Sequence, residues 1–239
     1  MLNKSDYEVI GNDLQAVIIR LSEAKSVFAD PGSLVYTSDN VKMDVTLGER
    51  GFAKRILSGF KRTIVGENFF LTRFSSDLGT GEVVFSSPVP GKIIPVEIPK
   101  EGLICEKQAY LCSDSSINIE VAFAKRIGAG LFGREGFILQ KLTGEGTVFV
   151  QSCGTIIKKT LGQGEIIKLD PGCVVAFDPS VDYDIKYVGN IKTAIFGGVG
   201  LFFVTLVGPG NVYIQTLPLS KLSRKLLSGS KFPKAKSNG

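Results

Sequence analysis

Residues 104–151 reappear 64 positions later as residues 168–215 without a gap, and 11 of the 48 aligned pairs are identical. The identities include the punctuation of the chain: Gly133/Gly197, Gly136/Gly200, Leu142/Leu206, Gly144/Gly208, Gly146/Gly210 and Val148/Val212. A repeat of this period restricts the fold to several small copies of one unit. A third copy lies upstream, where Val41, Met43 and Val45 fall on Ile117, Ile119 and Val121, and these on Val181, Tyr183 and Ile185. With three extra residues before it, Gly79-Thr80-Gly81 falls on Gly144-Glu145-Gly146. The boundaries expected from this alignment are 1–87, 88–152 and 153–217 for the three units and 218–239 for a tail.

Each copy is written in strands. Val17–Ile19, Val27–Ala29, Leu34–Thr37, Val41–Val45, Phe69–Phe74 and Val83–Ser86 are short β-branched and aromatic runs bounded by Gly, Pro, Asp or Ser. About six strands per unit are expected, with hairpins closed at Gly79–Gly81, Gly144–Gly146 and Gly208–Gly210. Alternation of Val41, Met43 and Val45 with Lys42 and Asp44 predicts one buried and one solvated face. Asp30-Pro31-Gly32 and Asp170-Pro171-Gly172 predict type II turns, which the middle copy, reading Glu106-Lys107-Gln108, must replace with another turn. The fold expected is all-β: three tandem sandwiches, jelly-roll-like, in a pseudo-three-fold arrangement with Gly79, Gly144 and Gly208 in equivalent turns. Leu219, Leu222, Leu226 and Leu227 share a helical face at the end of the chain, and the residues from Ser228 onward read as a disordered tail.

Composition narrows the function classes. The net charge of +5 resides in residues 217–239, whose Lys221, Arg224, Lys225, Lys231, Lys234 and Lys236 stand without an acid, leaving 5 − 6 = −1 for the body. That body lacks the global electrostatic footprint of a nucleic-acid binder. The absence of histidine removes the usual general base and the commonest metal ligand, so no familiar catalytic triad can be assembled. Cys105, Cys112, Cys153 and Cys173 form no Cys-x-x-Cys pair and read as buried free thiols of a reducing compartment, which together with the polar N-terminus points to the cytoplasm.

Three patterns are candidates for chemistry. Gly128-Ala-Gly130-Leu-Phe-Gly133 matches a dinucleotide fingerprint but runs into a strand-like segment instead of a helix. Asp44, Glu120 and Asp184 are equivalent carboxylates, and their polar parity assigns them to a solvated face in preference to a cation site. The sequence Phe52-Ala-Lys-Arg-Ile56 recurs letter for letter as Phe123-Ala-Lys-Arg-Ile127. Either these bases guard a hairpin rim, or Phe52, Lys54, Arg55, Phe123, Lys125, Arg126 and Phe132 form an interaction surface, joined by the apolar run Ala194–Gly200. The segment from Ala194 to Val207 is too short to span a bilayer and reads as buried strand.

Pro31-Gly32-Ser33-Leu34, Gly66-Glu67-Asn68-Phe69-Phe70, Gly79-Thr80-Gly81, Pro90-Gly91, Gly133-Arg134-Glu135-Gly136 and Gly144-Glu145-Gly146-Thr147, taken as an ordered set, resemble the "altered inheritance of mitochondria" family, number twenty-four, in its prokaryotic form. The resemblance covers residues 5–217 and implies sandwiches similar to the tryptophan RNA-binding attenuation protein, three to the chain. It implies little chemistry. The mitochondrial relative is associated with inner-membrane organisation, whereas this chain shows no transit peptide. RNA binding does not transfer with a sandwich, because function belongs to sites.

The expectation is therefore a non-enzymatic scaffold or interaction module without metal or cofactor, self-associating and suited to an anionic membrane surface. A nucleic-acid-binding module and a small-ligand-binding protein are the alternatives, the latter requiring a concave pocket.

Overall fold

A computed structural model of the chain describes residues 1–47, 70–125, 136–187 and 202–229. The apolar runs become strands. β1 (Tyr7–Ile10) precedes a set of six, β2 (Ala16–Leu21), β3 (Ser26–Ala29), β4 (Leu34–Thr37), β5 (Val41–Leu47), β6 (Phe70–Ser76) and β7 (Gly81–Ser86). Six more come next as β8 (Ile93–Glu97), β9 (Leu103–Glu106), β10 (Tyr110–Asp114), β11 (Asn118–Lys125), β12 (Phe137–Thr143) and β13 (Thr147–Gln151). The last are β14 (Ile156–Leu161), β15 (Ile166–Leu169), β16 (Val174–Phe177), β17 (Asp182–Tyr187), β18 (Phe202–Val207) and β19 (Gly210–Gln215), and the chain then enters helix α1 (Leu219–Gly229).

The strands form four antiparallel sheets, ordered β1-β2-β7-β4, β5-β6-β3-β10-β13-β8, β11-β12-β9-β16-β19-β14 and β15-β18-β17. Three apolar cores lie between them. Val17, Ile19 and Phe85 of the first sheet meet Val27, Phe74, Leu111 and Phe149 of the second. Val148 and Val150 of the second meet Leu103, Cys105 and Leu142 of the third. Phe137, Leu139 and Phe177 of the third meet Leu169, Ile185, Val204 and Leu206 of the fourth. The two middle sheets are thus covered on both faces, and β9, β10 and β16 are buried along their whole length. Each fully buried Phe or Leu contributes roughly 1.5–3 kcal/mol.

Ladder registers recur at the sequence offset. Ile119 opposite Leu142 becomes Tyr183 opposite Leu206, and Ile104 opposite Lys141 becomes Lys168 opposite Thr205. A register shift falls between Leu34 and Tyr36, between Tyr110 and Cys112, and between Val174 and Ala176. A shared polar device accompanies it. The amides of Glu82, Thr147 and Asn211 donate to the side chains of Ser38 (2.9 Å), Asp114 (2.8 Å) and Asp178 (2.8 Å), fixing each hairpin to the strand beside it.

Several local expectations are corrected. The Asp-Pro-Gly segments are 3-10 turns, since the carboxylates of Asp30 and Asp170 each accept from the amide two residues on, at 2.9 Å, and neither Gly32 nor Gly172 has a positive φ. The middle copy makes the same turn, because the longer Glu106 side chain reaches the Gln108 amide at 2.8 Å. In β5 the apolar parity does not stay covered: Val41 is buried in the first core, but Met43 and Val45 emerge, the latter 71% exposed, as the edge strand runs past that core. The first hairpin glycines differ in surroundings. Gly79 stands in open space, whereas a Cβ on Gly144 would meet the Ser116 carbonyl and one on Gly208 the Gly162 carbonyl. Among the second glycines, Gly146 and Gly210 share φ values of 145° and 146°, each packed on the aspartate of its own cap, Asp114 or Asp178.

Candidate interaction surface and cavity

Of the residues in the repeated Phe-Ala-Lys-Arg-Ile segments, Phe123 and Lys125 lie on β11; Phe52, Lys54, Arg55, Arg126 and Phe132 lie outside the described residues, as does Ala194–Gly200. Phe123 is half-buried. Its ring meets Tyr183 edge-on at 5.8 Å, and Tyr183 in turn lies tilted against Phe177 at 5.5 Å. This aromatic row joins β11, at the rim of the third sheet, to β17 in the fourth. The dinucleotide-like glycine run also lies outside the described residues from Gly128 onward.

Asp44, Glu120 and Asp184 are exposed, as their parity predicts. Asp44 and Glu120 stand opposite Arg73 and Lys141 in their ladders, and Asp184 pairs with Lys186 at 3.1 Å. Among the described residues no group of three or more potential ligands gathers for a metal. Burial pushes the thiols of Cys105 and Cys112 well above the usual range, helped by the neighbouring charges of Glu106 and Asp114. Cys153 and Cys173 are raised as well, again chiefly by burial. All four thiols are free, and raised pKa values disfavour the nucleophilic thiolate.

Helix α1 leaves the sandwich at a defined point. The Leu217 amide donates to the Cys153 carbonyl at 3.1 Å, and Lys221 Nζ meets the sheltered Asp170 carboxylate at 3.2 Å. Beyond this anchor Leu219 and Leu226 are exposed on the same short helix as Lys221 and Lys225. Leu219, Leu226 and Lys225 are thus exposed on a helix that Lys221 ties to the turn at Asp170. Among the described residues no helix is long and apolar enough to cross a membrane.

A cavity of about 290 Å³ opens where two of the 3-10 turns meet the ends of β13 and β19, lined by Asp30, Ser33, Gln108, Tyr110, Gln151 and Leu219 among others. Two glutamines at its edge occupy equivalent positions. Gln215 is satisfied at both ends of its amide, donating to the Gly172 carbonyl at 2.7 Å and accepting from the Cys153 amide at 2.8 Å. Gln151 donates to the Gln108 carbonyl at 2.8 Å, but among the described residues nothing donates to its buried Oε1. A buried acceptor without a donor costs about 1–3 kcal/mol, which sets Gln151 apart from its satisfied counterpart Gln215. Sequence reasoning passed over both residues. Their identity across the repeat was the available signal, but their distinct partners arise only from the three-dimensional packing.

Three comparisons bear on this arrangement. Residues 7–217 match the family described as mitochondrial biogenesis AIM24. An uncharacterized protein of Streptococcus pyogenes serotype M6 is 32% identical over 213 residues, spanning 88% of this chain and 84% of its own length. A Streptococcus pyogenes protein solved by X-ray crystallography superposes with a TM-score of 0.74 at 28% identity, covering 94% of this chain and 99% of its own.

Proposed function

Since this chain belongs to the mitochondrial biogenesis AIM24 family, we propose that it is a non-enzymatic β-sandwich scaffold that works by association, with an anionic membrane surface as the partner its C-terminus suits. The observation that carries this reading is the exposure of Leu219 and Leu226 beside Lys221 and Lys225 on α1. Such a helix lies flat in a headgroup layer, each base adding about 1 kcal/mol near a charged bilayer. The body behind it is read as three copies of one sandwich within residues 1–87, 88–152 and 153–217, of the attenuation-protein kind and self-associating. Recurring ladder registers and strand orders support that reading. Its place of work is the cytoplasmic side of such a surface.

The test is flotation with vesicles containing anionic lipid. Salt-sensitive binding of the full chain, weakened when Leu219 and Leu226 become Ser, is the expected outcome. Loss of binding on changing Phe52 and Lys54 instead would move the contact to the repeated loops, and no flotation at all would leave a protein partner as the surface engaged. A second reading, binding of a small ligand, is favoured by the cavity and the unpaired Gln151 Oε1. Native mass spectrometry of the purified chain checks it, a co-purifying small molecule lost in Gln151→Leu being the expected result. A nucleic-acid module finds no comparable support in a body whose net charge is −1, the +5 of the chain less the +6 of its tail.

A further inference from the structure

Among the described residues there are two six-stranded sheets and two smaller ones, and the smaller ones are complementary. In the second sheet β5-β6-β3 is joined to β10-β13-β8 through the pair β3 and β10. In the third, β11-β12-β9 is joined to β16-β19-β14 through β9 and β16. The same triplets at the chain's two ends are β17-β18-β15, which is the fourth sheet, and β4-β7-β2, which with β1 added is the first. The edges β15 and β4 correspond to the edges joined twice within the chain. Among the described residues they are not joined to each other or to any further strand.

Their side chains differ accordingly. Of the counterparts, β9, β10 and β16 are buried throughout and β3 at all but Phe28, whereas Val35 and Tyr36 of β4 are 55% and 49% exposed and Ile166 of β15 is 58% exposed. An unpaired edge presents a row of backbone donors and acceptors ready for another strand, and exposed apolar side chains on it gain from being covered by that strand. The internal junctions also prescribe the register. Cys112 stands opposite Ala29 and Ser113 opposite Phe28; Ala176 stands opposite Cys105 and Phe177 opposite Ile104. Carried to the ends of the chain, this places Tyr36 opposite Leu169 and Thr37 opposite Lys168.

We infer that β15 of one molecule pairs antiparallel with β4 of a second copy of this chain, completing a third composite sheet between molecules. The contact is head-to-tail, so it propagates into a ring or a filament according to the rotation at each step. This inference rests on the proposed self-association and assigns it a surface.

The experiment mixes two full-length variants of different mass, Thr37→Cys and Lys168→Cys, under mild oxidation, with the unsubstituted chain controlling for Cys173. Disulfide-linked heterodimer in large excess over either homodimer is expected. In parallel, sedimentation of the unsubstituted chain is expected to reveal species heavier than 25.7 kDa that grow with concentration. Val35→Lys and Ile166→Lys, both at exposed positions, are each expected to weaken that association by about tenfold or more while leaving the circular dichroism unchanged. If association persists unaltered in both lysine variants, the edge pairing is wrong while self-association stands. A concentration-independent monomer overturns both. A doubly substituted Thr37→Cys, Lys168→Cys chain that closes on itself as a monomeric disulfide also overturns the inference, since the two edges would then meet within one molecule.

Discussion

Asp114 shows how much one side chain can organise. Its two carboxylate oxygens accept from the amides of Leu2 and Thr147, each at 2.8 Å, in a buried setting, so it ties the N-terminus and the second hairpin to β10 at once. Replacing it with Ala orphans two donors, and a loss of about 2–4 kcal/mol in urea unfolding is expected, against about 1 kcal/mol for Ser38→Ala, whose hydroxyl serves the same hairpin amide in the first set. Asp6 makes a second residue-scale prediction. Burial works against its charge, but the hydrogen bond from Lys25 at 2.6 Å and one from the Asn3 amide hold its carboxyl below the usual range. A folded-state value below the unfolded one gives stability that is complete above the unfolded value, about 3.9, and is lost as pH falls through the folded value. Melting temperature measured from neutral to acid pH should therefore fall less steeply in Asp6→Asn than in the unsubstituted chain.

Pairs of elements carry the next level. The edge-on contact of Phe123 with Tyr183 couples β11 to β17, and a double-mutant cycle to Leu at both positions should return about 0.5–1.5 kcal/mol of interaction. Additive single effects would mean that the two rings merely fill space. Much of this level was legible in sequence. The six-strand set, its recurrence and α1 all come from local periodicity and from residues 104–151 matching 168–215. The features that escaped depend on a partner far away. β1 escaped because Tyr7–Ile10 is a four-residue run beside a polar N-terminus, and it is strand because β2 offers it an edge. The 3-10 turns escaped because Pro-Gly signals a type II turn until the preceding carboxylate bonds the glycine amide. Full burial of β9, β10 and β16 escaped because alternation describes a strand with one wet face, and these three central strands have none. The equivalence of Gln151 and Gln215 was in the alignment, but the missing donor at Gln151 was not.

At the scale of the whole molecule, the six-stranded sheets straddle the boundaries expected from the repeat at residues 87 and 152, so no set of six strands can separate without opening a sheet and two cores. Calorimetry should accordingly give one transition whose van't Hoff and calorimetric enthalpies agree, and resolved successive transitions would contradict this. The passage from one set to the next is itself stereotyped. The amides of Gly91, Gly154 and Leu217 donate to the carbonyls of Asp13, Pro90 and Cys153, at 2.7, 2.8 and 3.1 Å. At the first of these joints a Cβ on Gly91 would lie 1.7 Å from the Ser152 carbonyl oxygen, so only glycine lets the strands approach there. Leu217 thus stands where another set would begin, and the chain turns there into Pro218 and a helix in place of a strand. Splicing a further copy of residues 154–216 ahead of Leu217 would therefore lengthen the protein by one full register step, giving protein engineers a graded ruler whose length is set by the gene.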